Sequence, residues 1–209
     1  MIRNGVAPAP LLWRPDNRVV LVLQRLEPEK DTATALRAWQ RSDLASAGWQ
    51  LRVVGDGRER RALEALVRSE GISHVDFAGW KSDVAAEFAR AGILLTAAPV
   101  EPFGLSVVEA MAVGVPVVAS AAGGHLETVG ELAEARLFQP GDVAAAGAAL
   151  RSLLLDDARA ELSAAGRALT AKSFTIGAHV DALLEQYDAV RYARHARGRR
   201  RYFRPSQTR

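Results

Sequence analysis

Cysteine is absent from this chain. That excludes disulfides and thiolate metal sites, and it fits a reducing compartment. Histidine is scarce, and His74, His125, His179 and His195 fall at no metal-ligand spacing. No apolar run approaches the roughly 18 residues of a membrane span. The opening Met1-Ile2-Arg3-Asn4-Gly5 has no signal-peptide apolar region, so a cytoplasmic location is expected. Lysine is nearly missing, with three against 24 arginines, a bias that fits genome composition rather than function. Acidic residues stop at Asp188, and the segment 190–209 holds eight arginines and no acid. The small net charge of +3 therefore joins an acidic body to a strongly basic tail.

What is present suits a globular domain. A hydrophobic content of 49% is ample for a core. The length suits one large domain or two small ones. Short apolar runs alternate with segments of helical spacing, the signature of a parallel sheet covered on both faces. Strands are expected at Val19–Leu23, Leu51–Val54, Val75–Phe77, Ile93–Thr96, Val115–Ala119 and Arg136–Phe138. Helices are expected over 32–41, with Asp31 as N-cap, and over 59–69 and 83–90. Another starts near Gly104, and three close the chain over 143–155, 158–172 and 176–194. No internal repeat or low-complexity linker is visible.

The most informative stretch is Glu101-Pro-Phe-Gly-Leu-Ser-Val-Val-Glu109, continuing to Gly114-Val115-Pro116-Val117-Val118. A buried strand runs into a loop containing Pro99 and Pro102, and a helix then begins at Gly104. A loop at the carboxyl end of a parallel strand, entering a helix N-terminus, is where α/β sheets bind ligands. The free N–H groups of Gly104, Leu105 and Ser106 and the helix dipole favour an anion there. Glu109 is expected mid-helix among apolar residues, where a carboxylate needs donors. The two hydroxyls of a ribose would supply them. Glu101 lies in the loop, free to meet a sugar.

This stretch resembles the donor-sugar signature of retaining glycosyltransferases with the GT-B fold, in particular family 4 (group 1). That family carries Glu, seven residues, then Glu, with Phe-Gly inside the gap. The resemblance implies an α/β, Rossmann-like parallel sheet with helices on both faces, one half of a GT-B fold, with a helical C-terminal segment. It implies residues 1–18 as the remnant of an interdomain linker, because Asn4-Gly5-Val6 reads like the family's linker. Residues 19–173 become the nucleotide-sugar donor domain, and 174–209 a C-terminal helix and Arg-rich tail. The N-terminal acceptor domain of the family has no counterpart in the sequence, so transfer is expected to need it.

By the same resemblance, Arg25 and Lys30 in Arg25-Leu26-Glu27-Pro28-Glu29-Lys30 match the family's diphosphate-holding Arg and Lys. Arg offers a planar fork to phosphate oxygens and Lys a mobile point charge. Both would stabilise the leaving diphosphate, and no metal or other cofactor is implied, there being no Asp-x-Asp motif. Without the other motifs, the segment reads as a solvated charge run. Two departures stand out: Gln24 and Asp31 occupy positions where the family has Gly. The backbone of Phe103, Gly104 and Leu105 is expected on the sugar and phosphates, Glu101 on the sugar and Glu109 on the ribose. Gly55-Asp56-Gly57 reads as a turn first and a cleft lining, through Gly55, second. Its lack of a third Gly, with Arg60 in that place, argues against an oxidoreductase-like dinucleotide site. Ala78 and Trp80 match the loop that meets the nucleobase, although Trp80 equally suits packing at the strand end. Gly124, in Gly123-Gly124-His125-Leu126-Glu127, matches a turn near the sugar and phosphates. His125 is not read as a catalytic base, since its position is not a fixed catalytic one in the family.

The expected partner is a UDP- or GDP-sugar. A non-catalytic nucleotide-sugar binding module shares every one of these motifs and stays open as the alternative. The tail has three readings: a solvated end, a contact with an anionic membrane at its inner face, or a contact with nucleic acid or the acceptor domain. The second is kept open by Tyr192, Tyr202 and Phe203 among the arginines, and nucleic acid is the weakest.

Overall fold

The computed structural model describes residues 2–132 and 135–201. Six strands form one parallel sheet: β1 (Val19–Leu23), β2 (Gln50–Val54), β3 (Val75–Gly79), β4 (Ile93–Thr96), β5 (Val117–Ser120) and β6 (Arg136–Phe138). Their spatial order is β3-β2-β1-β4-β5-β6, the doubly wound arrangement. Helices fill the crossovers between the first five strands: α1 (Thr32–Ser42), α2 (Arg60–Ser69), α3 (Val84–Arg90) and α4 (Leu105–Ala112). After β5 comes the short α5 (Gly124–Thr128), and after β6 come α6 (Val143–Ser152), α7 (Asp156–Ser173) and α8 (Ile176–Arg201). Helix α1 packs on α6, and α4 on α7.

The central strands carry continuous apolar runs because both their faces are covered. Val20, Leu21 and Val22 of β1, Ile93, Leu94 and Leu95 of β4, and Val117 and Val118 of β5 are all essentially buried. β3, at the edge, is only partly buried and accommodates Asp76. Register is set tightly between β1 and β2, from Val19 opposite Gln50 to Leu23 opposite Val54.

The elements differ from the sequence expectation mainly at their ends. β5 starts at Val117 rather than Val115, because the Val115 N–H closes α4 on the Ala110 carbonyl at 2.8 Å and Pro116 has no N–H to offer. α6 stops at Ser152 because the Leu153 and Leu154 carbonyls are taken by the buried Arg159 guanidinium, which also holds Pro15. The Gly123-Gly124 turn continues into α5 instead of a loop. α8 runs to Arg201, and residues 202–209 of the Arg-rich tail lie outside the described residues. Among the described residues no helix is long and apolar enough to cross a membrane.

The N-terminal segment packs on the sheet's body. Trp13 is buried and donates from Nε1 to the Gly92 carbonyl at 3.1 Å. Val6 bonds to the Phe174 carbonyl at 2.8 Å, so the first residues lie against the α7–α8 corner.

Both departures from the family pattern have a local explanation. Gln24 turns its amide into the loop after β1, donating to the Lys30 carbonyl at 3.2 Å and to Thr32 Oγ1 at 2.9 Å. Asp31 adopts the left-handed conformation, φ 44°, that a Gly would otherwise supply. Its carboxylate accepts the Thr34 N–H at 3.2 Å and so caps α1. Asp is one of the few non-Gly residues that visits this region without large strain, and capping offsets the rest. Asp31→Ala should therefore destabilise by about 2 kcal/mol, roughly 1 from the lost cap and 1 from backbone strain. Urea unfolding of both proteins measures this, and a difference under 0.5 kcal/mol would dissolve the argument.

Candidate functional site

The strand order reverses direction between β1 and β4, so the loops leaving these two strands diverge around a crevice. Residues 24–31 form one lip and residues 97–104 the other. The two lips meet in one ion pair: Lys30 Nζ lies 2.7 Å from Glu101 Oε2. Both side chains are mostly buried, 18% and 14% exposed, which separates this pair from the chain's solvent-exposed ones.

Glu101 is also tied to its own loop. Its Oε1 accepts the Gly104 N–H at 3.0 Å and the Phe103 N–H at 3.5 Å. Burial pushes this carboxyl up, but the Lys30 hydrogen bond and charge, with smaller help from His125 and the Phe103 N–H, outweigh it and hold the carboxyl below its usual value. Gly104 is the N-cap of α4 with φ 86°, a conformation that suits Gly and leaves no side chain over the helix end. The N–H groups of Leu105 and Ser106 meet no acceptor among the described residues. The site therefore holds one lysine, one carboxylate and a helix N-terminus with unused donors.

Arg25 stands at the same lip but faces away from this pair. Its side chain is largely exposed and bonds to Glu29 at 3.0 Å. Gly55 supports the lip from beneath: the Gln24 carbonyl lies where a Gly55 side chain would be, and the Leu26 N–H donates to the Asp56 carbonyl at 2.9 Å. Gly55 also donates to the Gly79 carbonyl at 3.0 Å, joining the loops after β2 and β3.

Gly124 builds the opposite lip. A side chain there would collide with the Phe103 backbone, and the Gly124 N–H donates to the Glu101 carbonyl at 2.7 Å. The Gly-Gly pair thus serves backbone-to-backbone docking of α5 on the Glu101–Gly104 loop, and this N–H is not free for an anion. The Phe103 ring is likewise committed, packing edge-on to the buried Phe174 at 6.0 Å between centroids.

Glu109 differs from the expectation. It is exposed rather than enclosed in the helix's apolar face, which is formed by Val107, Val108, Ala110 and Met111. It sits one turn beyond Leu105 at the margin of a groove of about 440 Å³. The groove's other walls are Gly5, Val6, Ala7 and Ala9, and Val84, Ala85 and Phe88 of α3. No group among the described residues donates to its carboxylate, and partial desolvation of the carboxylate pushes its pKa up. Ala78 lies within β3 and packs partly into the core, while Trp80, 72% exposed, stands free beyond the strand end.

Two features were not legible as parts of a site. The segment Gly5–Ala9 lines the groove, although its residues carry no chemistry of their own; only Asn4-Gly5-Val6 hinted at a place. His125 lies directly behind the cradle. A side chain on Gly104 would come 3.1 Å from its Cδ2 and 3.6 Å from its Nε2. The Ser120 hydroxyl donates to the Ala98 carbonyl at 2.6 Å, so His125 Nδ1–H is the donor to Ser120, with the hydroxyl and carbonyl oxygens each at 3.1 Å. The ring is 1% exposed, and burial holds its pKa low.

The profile of the family described as "Glycosyl transferases group 1" matches residues 6–169. The chain belongs to this family. Among curated proteins it is 34% identical over 179 residues to a 2-deoxystreptamine glucosyltransferase of Streptomyces kanamyceticus, covering 82% of this chain and 46% of that one. It is 31% identical over 175 residues to a glycogen synthase of Mycobacterium tuberculosis, covering 77% and 41%. The chain thus spans less than half the length of these relatives. Among solved structures, the sucrose-phosphate synthase of Thermosynechococcus elongatus superposes with a TM-score of 0.79 at 28% identity, covering 92% of this chain and 52% of that one. Anabaena Alr3699/HepE, solved in complex with UDP-glucose, gives 0.73 at 26% identity, covering 83% and 49%. These neighbours place the fold among the GT-B glycosyltransferases.

Proposed function

We propose that this chain binds a nucleotide-sugar donor and forms the donor half of a retaining, metal-independent hexosyltransferase of family 4. The observation that carries the reading is the Lys30–Glu101 pair. It bridges the two crevice lips beside a helix N-terminus that still has free N–H groups, a place built for a phosphate next to a group that can meet a sugar.

The diphosphate falls to Lys30, to the backbone of Phe103, Gly104 and Leu105, and to Arg25 once it leaves Glu29. Glu109, poised over the groove without a donor, takes the ribose hydroxyls, and the groove between α3 and α4 takes the nucleoside. Its volume of about 440 Å³ is in the range of small-ligand pockets. Ala78 and Trp80 bound the base end, while Gly55 and Gly124 keep the two lips close. Glu101 faces the sugar. As the glycosidic bond breaks, negative charge grows on the departing diphosphate, where Lys30, Arg25 and the α4 dipole stabilise it. These groups take the place of a divalent cation.

UDP is the first nucleotide to test, because HepE, similar to this chain, binds UDP and UDP-glucose. The acceptor site belongs to a second domain facing the crevice, since transfer requires both reactants to be held in register. Residues 1–18 and 174–209 flank the donor domain at 19–173, and the basic tail is the segment to examine for contact with an anionic membrane.

Calorimetry with UDP, GDP and NADH tests the reading. UDP or GDP should bind and NADH should not. Arg25→Ala should weaken the nucleotide about 10–100-fold, the loss of one charged hydrogen bond. Binding of NADH alone would end the glycosyltransferase donor reading, and an unchanged affinity would remove Arg25 from the site.

A further inference from the structure

The groups assigned above to the donor's diphosphate already hold an anion. Glu101 takes the Lys30 ammonium through one oxygen, at 2.7 Å, and the Gly104 N–H through the other, at 3.0 Å. A single carboxylate thus occupies the cation and the first N–H of the helix end together. It fits there imperfectly. The Phe103 N–H reaches it only at 3.5 Å, and the Leu105 and Ser106 N–H groups reach no acceptor among the described residues. An anion with more oxygens and more charge would satisfy donors that this carboxylate leaves idle.

From this arrangement we propose that Glu101 is an internal stand-in for the donor's diphosphate, and so a specificity-determining residue. Ligand enters by exchange: the diphosphate takes Lys30 and the Gly104 N–H, and Glu101 is released towards the sugar. The inference rests on the nucleotide-sugar reading of this site. Exchange favours a multiply charged anion, which returns more interaction than it displaces. A single negative charge displaces an equal one and gains little, and a neutral ligand cannot displace Glu101 at all. Exchange also links two events: the carboxylate becomes free for the sugar only when the diphosphate has arrived.

Among the described residues, Lys30 is the one cation paired with Glu101. The ring of His125 lies behind Gly104, but burial disfavours its charged form and its Nδ1 is committed to Ser120. Arg25 is bonded to Glu29. Released from Lys30, Glu101 finds its next strong partner in a ligand.

The test compares the wild-type chain and Glu101→Gln by calorimetry with UDP and with inorganic pyrophosphate. Gln keeps the shape and removes the competing charge. Both ligands should bind the variant roughly tenfold more tightly, the effect of removing one charge-assisted competitor. Equal or weaker binding by the variant, with UDP still bound by the wild type, overturns the stand-in and leaves the nucleotide reading intact. Failure of both proteins to bind either ligand sinks the two together. A second measurement needs no variant: the Gly104 amide resonance of the wild type should shift on saturation with UDP, since its acceptor is replaced. A Gly104 resonance that stays in place while UDP saturates the site also overturns the exchange.

Discussion

Lys30→Ala should reduce UDP affinity about 100-fold and also destabilise the free protein by about 1–3 kcal/mol. The two effects have one cause. Lys30 is the cation of the crevice, and its loss removes the point charge that a diphosphate would meet. It also strands Glu101, which is 14% exposed and, among the described residues, is ion-paired only with Lys30. A carboxylate left in that position keeps the cost of burial without the pairing that offsets it. The pH dependence follows from sign. Glu101 is held below its unfolded value, so it contributes stability above the unfolded pKa, and that contribution fades as pH falls through the folded one. In Lys30→Ala this contribution is removed, so the two proteins should differ most near neutral pH and converge in acid. Denaturant titrations at pH 7 and pH 3, beside calorimetry at pH 7, measure all three quantities. Wild-type affinity in Lys30→Ala would take the diphosphate away from this lip.

Glu109→Gln should separate stability from binding. Its carboxyl is raised above the unfolded value by desolvation alone. A raised acid has the opposite sign from Glu101. At neutral pH the ionised form costs stability, and the cost disappears as pH falls through the folded pKa. Gln removes that cost, so the melting temperature should rise slightly at pH 7 and not at pH 4. The same substitution should weaken UDP and UDP-glucose alike, by roughly 10-fold or more, because both carry the ribose. A charge kept at a price in stability, and needed only by the ligand, is the expected mark of a binding residue. If the variant melts higher and binds UDP as well as the wild type, Glu109 has no part in the site. A loss of UDP-glucose with UDP unaffected would instead place Glu109 on the sugar and reverse the roles given to the two glutamates.

Much of the fold was legible in the chain. Buried parallel strands show as uninterrupted apolar runs, so Val19–Leu23 and Ile93–Thr96 were read with their ends correct. Helix starts were legible where a side chain caps them, as at Asp31. Two of the ends missed were governed by a side chain from the next helix and by a turn shared between two elements. Arg159 stops α6 by reaching the Leu153 and Leu154 carbonyls, which no local pattern announces. Val115 was lost from β5 because its N–H was already needed to end α4.

The site divides in the same way. The linear spacing of Glu101, Gly104 and Glu109 determined a loop, a bare helix end and a second carboxylate about one turn into the helix, because these are near neighbours along one strand–loop–helix unit. It also put Lys30 after another strand of the same sheet. Sequence could not say that Lys30 and Glu101 touch, since 71 residues separate them and only the β1–β4 adjacency brings their loops together. It could not say that Arg25 would turn to Glu29, that Glu109 would face a groove instead of the core, or that His125 would stand buried behind Gly104. Each of those depends on which surfaces meet after the sheet has closed. Local chemistry set what each residue could do, and the burial and pairing imposed by tertiary packing decided which of those options it took.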